Sequence, residues 1–207
     1  MAKSHKVPEK TAQKWIWEFD KLKKGLKINF NNYFLEEQTW KELSGADNQE
    51  RIRVYFGLEY RASGKPTVCA YAVETKIDGS GVSRDQISKV FKLEPKNINV
   101  TADLDEVKKQ IKAWCDWRKE ESVCENSGQK DPSHLFPNAF LLHAGDLKHL
   151  FAKQGQSKIK LEFGKDSGIN LLMSGETLTR LTSGDHEYFD FVEPCPPVCD
   201  LESPLLD

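Results

Sequence analysis

Asn31–Gly57 reads NNYFLEEQTWKELSGADNQERIRVYFG, and Asn138–Gly164, 107 positions further on, reads NAFLLHAGDLKHLFAKQGQSKIKLEFG. Without a gap, Asn31 falls on Asn138, Leu35 on Leu142, Lys41 on Lys148 and Leu43 on Leu150. The same register pairs Gln49 with Gln156, Ile52 with Ile159, Phe56 with Phe163 and Gly57 with Gly164. Similar residues fill in around them: Tyr33/Phe140, Trp40/Leu147, Arg51/Lys158, Arg53/Lys160 and Val54/Leu161. A period longer than about 50 residues lies outside the solenoid range, so it predicts two copies of one structural unit.

Within each copy the pattern predicts a short strand, a short helix and a hairpin. Arg51–Phe56 alternates strictly, with Ile52, Val54 and Phe56 on one face and Arg51, Arg53 and Tyr55 on the other. Ile159, Leu161 and Phe163 repeat the inward face, and Lys158, Lys160 and Glu162 the outward one. A turn follows each strand, RASGKP (61–66) and GKDSG (164–168), and then an apolar run, TVCAYAV (67–73) and INLLM (169–173), which closes a β-hairpin.

A helix precedes each copy. The first is capped by Thr11 and carries Trp15, Ile16, Phe19 and Leu22 at helical spacing, ending near Gly25. Its lysine-rich end, KLKKGLK (21–27), suits a helix C-terminus, where the macrodipole favours cations. The second is capped by Thr101 or Asp103 and carries Leu104, Val107, Ile111, Trp114 and Cys115, running to about Arg118. Its connection to copy two is longer, through the polar loop Lys119–Ser133. DGSGVS (78–83) reads as a turn or hinge, and Ser83 as the cap of a short helix through Phe91.

The fold class is therefore α+β: internally duplicated helix-strand-helix-hairpin units, related by a pseudo-twofold, forming a mixed, largely antiparallel sheet with two long covering helices. Half one spans about 11–77, a connector about 78–100, half two about 101–192 and a tail 193–207. Each half alone has too little surface to bury, so a single pseudo-symmetric domain is expected, with two tandem domains as the alternative.

Thirty Lys+Arg against 32 Asp+Glu give a formal net charge of −2. That balance supplies no electrostatic attraction to nucleic acid or an anionic membrane, and neither is expected as a partner. No run of about 18 apolar residues occurs, residues 1–14 hold no apolar leader core, and the cysteines number five. The expectation is a reduced, cytoplasmic setting.

The sequence carries no G-x-x-x-x-G-K-[ST], no G-x-G-x-x-G after a strand, no G-x-S-x-G and no H-E-x-x-H. Gly79-Ser80-Gly81 reads as a turn, and Asp185-His186-Glu187 as a solvated turn rather than an oriented acid–base histidine. Two candidate sites stand out. Arg51, Arg53, Lys158 and Lys160 would share one cationic sheet face if their strands are neighbours, and such a face suits an anionic ligand or an acidic partner. Their alternative reading is the solvent side of a half-exposed sheet. Cys195 and Cys199 bracket Pro196, Pro197 and Val198 in a stiffened tail, where they read as a structural thiol pair, a redox pair or half of a zinc site. Zinc would need two further ligands from Cys124, His134, His143, His149 or His186, and no cofactor is predicted.

The short L-x-x-L helix before the strand RIRVYFG (Arg51–Gly57), with the C-P-P-x-C ending at Cys195–Cys199, resembles a family of Bacteroidetes-type bacterial proteins. That family has no assigned activity, so the resemblance implies a bacterial cytoplasmic setting and no mechanism. The functional expectation is a non-enzymatic binding or protein-interaction module, with a protein partner or homodimer. The alternatives are a small enzyme with its site between the halves, using His143, His149 or Cys195/Cys199, and a metal or redox protein built on the tail cysteines.

Overall fold

Pro8 opens the first helix, α1 (Glu9–Lys24), in a computed structural model that describes residues 6–44, 51–62, 64–95, 98–123, 136–153, 156–177, 187–190, 193–195 and 203–206, with backbone alone for 120–123, 176–177 and 193–195. Its carbonyl accepts from Thr11 N and Ala12 N, so the cap of α1 is Pro8, three residues before the Thr11 cap that the spacing predicts. Proline suits this place because the first-turn N–H it lacks would be unpaired anyway. Lys21, Lys23 and Lys24 do lie in the last turn. The second long helix, α3 (Leu104–Val123), is capped by the Asp103 carboxylate, which accepts from Glu106 N at 3.1 Å.

Ahead of α1 lies the two-residue strand β1 (Lys6–Val7). After it come β2 (Tyr33–Glu36), α2 (Glu37–Leu43), β3 (Arg51–Glu59), β4 (Thr67–Ile77), β5 (Ser83–Leu93) and β6 (Val100–Thr101). Beyond α3 come β7 (Ala139–Leu142), α4 (Ala144–Phe151), β8 (Gln156–Lys165), β9 (Ile169–Thr177), β10 (Tyr188–Asp190) and β11 (Glu193–Cys195). The predicted α+β class holds, and both predicted hairpins are present as β3–β4 and β8–β9.

Instead of one mixed sheet, the named strands form two antiparallel sheets, in the orders β1-β10-β9-β8-β2 and β11-β7-β3-β4-β5-β6. A single sheet under two helices buries one face, whereas β3 is buried on both. Ile52, Val54, Phe56 and Leu58 share the largest core with Ile159, Leu161, Phe163 and Met173 of the other sheet. On its opposite face β3 lies under α3, where Tyr55 packs with Tyr71, Val107 and Ile111. Leu172 likewise packs with Ala12 of α1 behind β9. The layers run helix, sheet, sheet, helix, with one long helix to each sheet.

Ser83–Leu93 is a strand, not the predicted short helix. It takes the second edge of β4, and the register shift between Val73 and Glu74 breaks the alternation by which a strand is recognised. Asp78 organises the turn before it: its carboxylate accepts from Ser80 Oγ, Arg84 Nε, Val82 N and Ser80 N, and these bonds, that from the Ser80 hydroxyl above all, hold it well below the usual carboxylate range.

The sheets are assembled crosswise. Tyr33 sits opposite Leu161 and Leu35 opposite Ile159, joining β2 to β8. Moved by 107 positions, these become Phe140 opposite Val54 and Leu142 opposite Ile52, the pairs that join β7 to β3. At the far edges β1 pairs with β10 (Lys6 opposite Phe189) and β6 with β5 (Thr101 opposite Phe91). Each three-stranded meander is thus flanked on both sides by strands from elsewhere in the chain. The outer edge of β7 is covered by β11, whose Pro194 is tolerated on an edge strand. That of β2 is met by Asn99, which donates to Phe34 O at 2.8 Å and accepts from Glu36 N at 3.0 Å.

Gly57 and Gly164 set the helix–sheet spacing. A Cβ on Gly57 would meet Gln110 Cβ at 3.0 Å and the Gln110 backbone at 3.1 Å, and one on Gly164 would meet Trp15 Cβ at 3.1 Å. Gln110 and Trp15 are 95 positions apart, as are Thr101 and Lys6 at the edges. Gly57→Ala is expected to destabilise by about 1–3 kcal/mol through overpacking. Gly164→Ala is expected to cost less, because its close contacts are side chains, and urea unfolding of both variants measures the difference.

Candidate functional site

Two crevices lie between a long helix and the outward face of a sheet, and they differ in how they are filled. Under α3, Arg53 and Asp85 are fully buried and form an ion pair. Arg53 Nη2 also donates to Ser83 O at 3.0 Å, and Tyr55 Oη donates to Asp85 Oδ2 at 2.5 Å. Ser203 Oγ donates to the same carboxylate oxygen, which anchors the turn at 203–206 and buries Leu205 in the layer. Burial, reinforced by the charge on Asp85, pushes the Tyr55 phenol far above its usual range. Beside them Cys69 Sγ donates to Gln110 Oε1 at 2.9 Å, and burial pushes its thiol up to about 11. A thiol held neutral is a poor nucleophile.

The far end of this crevice is filled as well. Trp114 Nε1 donates to Pro137 O at 3.2 Å, and Arg118 Nη1 donates to Asn138 Oδ1, which also accepts from Cys115 Sγ at 3.4 Å.

Beside α1, at the margin of the core, lies a cavity of about 120 Å³. Phe19, Phe30 and Phe163 form apolar walls, with ring centroids 5.1–5.3 Å apart. Asp20, Lys23, Asn31, Asn32 and Glu162 supply polar groups. Glu162 is only 8% exposed, and its Oε1 accepts from Lys160 Nζ at 2.6 Å and from Asn32 Nδ2 at 3.3 Å. No donor among the described residues reaches its Oε2. Lys23 Nζ pairs with Asp20 at 2.5 Å.

Of the four cations singled out in the sequence, Arg51 and Arg53 stand on β3 and Lys158 and Lys160 on β8, in different sheets. The condition for a shared cationic face is not met. Arg53 is not on a solvent side either, since its side chain is buried against Asp85 and Ser83 of β5. Lys158 pairs with Glu36 at 3.3 Å.

Cys195 lies on β11 opposite Ala139, while Cys199, Cys124, His134, Asp185 and His186 fall outside the described residues. Among the described residues no group of three or more His, Cys, Asp or Glu side chains is placed to hold a metal ion. His143 precedes α4, and His149 on that helix approaches Glu187 at 3.1 Å. Hydrogen bonds from Lys153 and Lys6, with a smaller one from His149, hold the Glu187 carboxyl down to about 2. That cluster ties β1 and α4 to the segment entering β10. No helix of the described residues is long and apolar enough to cross a membrane.

No family model, no curated protein and no solved structure matches the chain.

Sequence reasoning missed Asp85, Ser203 and the cavity. A signal for the cavity was present. Asn31 and Asn138 coincide at 107 positions, whereas the helices correspond at 95, which sets Phe19 against Trp114 and Lys23 against Arg118.

Proposed function

We propose that the protein is an internally duplicated, non-enzymatic binding module in which the crevice under α1 is the ligand site and that under α3 is closed. The duplication comprises two units, about residues 6–93 and 100–190, related by a pseudo-twofold and sharing one core as a single domain. Three correspondences support it: the β2–β8 and β7–β3 registers, the edge pairs of β1 and β6, and the helix contacts at Gly164 and Gly57. Phe56 and Phe163, matched positions of the repeat, touch each other at 4.9 Å, as matched residues on a twofold do.

The observation that carries the binding assignment is the open, carboxylate-bearing cavity under α1 where the matched place holds Trp114 and Arg118. An enzyme with its site between the halves has less room, because the space between the sheets is packed with Phe56, Phe163, Leu35 and Leu142. The balanced charge and odd cysteine count favour a cytoplasmic setting without nucleic acid.

Phe19→Trp places on α1 the residue that fills the matched position. It is expected to retain the fold and to abolish ligand binding. A small-fragment screen followed in amide NMR spectra tests this. Fragments that shift the Asn31 and Asn32 resonances of the native chain should leave those of the variant unmoved, and hits that persist in Phe19→Trp would overturn the assignment.

A further inference from the structure

Independently of the cavity, we propose that the outer face of α1 docks an acidic segment of a partner protein. Lys10, Lys14, Trp17, Lys21 and Lys24 recur at alternating spacings of four and three, which sets them in one line along the helix, and all are exposed. The line runs for about 21 Å at 1.5 Å per residue. At its centre Trp17 is 57% exposed, and Lys21 Nζ stands 3.3 Å from the centroid of its ring.

The stability of the helix does not account for this line. The macrodipole favours Lys21 and Lys24 near the C-terminus, but Lys10 lies in the first turn, at the positive end. At the helix spacing of 95 the corresponding line on α3 is Asp105, Lys109, Lys112, Asp116 and Lys119. That line mixes signs, holds no aromatic residue and pairs locally. Lys112 meets Asp116 at 2.9 Å, and Lys109 meets Glu106 at 3.9 Å. On α1, Lys21 meets Glu18 at 3.1 Å, while Lys10, Lys14 and Lys24 make no ion pair among the described residues. The four lysines of the line against the flanking Glu9 and Glu18 leave the face at a net charge of +2, and Asp20 and Lys23 at its margin cancel as a pair.

A cationic line around an exposed tryptophan has the composition of a protein-interaction hot spot, where the ring is enclosed and the charges steer the partner. Its complement is a run of spaced Asp or Glu with an apolar residue opposite Trp17. Nucleic acid fits less well, because the line offers no arginine to a phosphate and two carboxylates flank it. A bilayer also fits less well. The apolar side of α1, with Ala12 and Phe19, is buried in the protein, which leaves a single aromatic to insert.

The test is fluorescence anisotropy of the full-length protein with a labelled helical peptide of about 15 residues, carrying glutamates at the same alternating spacing around a central leucine. Saturable binding with Kd on the order of 100 µM is expected at low salt, weakening at least about fivefold from about 50 to about 200 mM salt. Trp17→Ala should weaken the peptide about tenfold or more, and so should Lys14→Glu combined with Lys24→Glu. These substitutions change exposed side chains, so the variants should melt at the native temperature. Lys109→Glu with Lys112→Glu makes the same charge change on α3 and should leave the affinity within about twofold. An equal loss from the α3 pair would reduce the effect to overall charge and overturn the proposal. Absence of saturable binding would overturn it, as would tighter binding of an oligothymidylate or of phosphatidylserine vesicles than of the peptide. None of these outcomes bears on the cavity.

Discussion

Asp85→Ala is expected to destabilise the protein by about 3–5 kcal/mol in urea or thermal unfolding. The Arg53 and Asp85 side chains are both fully buried, so removing the carboxylate takes an ion-pair partner from a guanidinium in a low-dielectric layer. The Ser83 carbonyl to which Arg53 also donates is a dipole, not an anion. Tyr55 Oη and Ser203 Oγ lose their acceptor at the same time, which releases the turn that carries Leu205 into the layer. Exchanging the pair for apolar residues, Arg53→Met with Asp85→Leu, removes both buried charges and is expected to recover most of the loss. If Asp85→Ala cost less than 1 kcal/mol, the pair would be solvated and the crevice under α3 open.

Phe56→Ala and Phe163→Ala are each expected to cost about 3–5 kcal/mol, the range for deleting a buried aromatic ring. Their rings meet across the two sheets, so the double variant should cost less than the two singles together, with a coupling of about 0.5–3 kcal/mol. The comparison separates one shared core from two tandem domains. In tandem domains the residues would lie in different cores, their costs would add, and the single variants would each lower one of two transitions.

The duplication proposed here rests on residues legible in the sequence, such as Phe56 and Phe163, or Gly57 and Gly164, which recur on both strands at one spacing. The hairpins and both long helices followed from periodicity and turn residues. Which copy lies beside which was not legible, since a repeat states likeness and not adjacency; β2 pairs with β8 and not with a strand of its own unit. Arg53 and Tyr55 read as a solvent face because a strand's polar side looks the same whether water or a helix covers it. Here α3 covers it, and the compensating Asp85 lies 32 positions away on a strand whose alternation is broken by a bulge. The comparison behind the proposed site sets Phe19 against Trp114 and Lys23 against Arg118. They align only at the helix spacing of 95, which the longer connection before copy two offsets from the strand spacing of 107.

Crosswise assembly has a direct test in dividing the chain between Asn97 and Ile98, after the meander of the first unit and before β6, and producing residues 1–97 and 98–207 separately and together. Each piece lacks the two strands that flank its meander, so neither alone should give a dispersed amide spectrum or a cooperative melt. Mixed, they should assemble one to one and melt as a single unit. A piece that folds by itself as a monomer and does not bind the other would contradict the exchange of strands and, with it, the duplicated single-domain account.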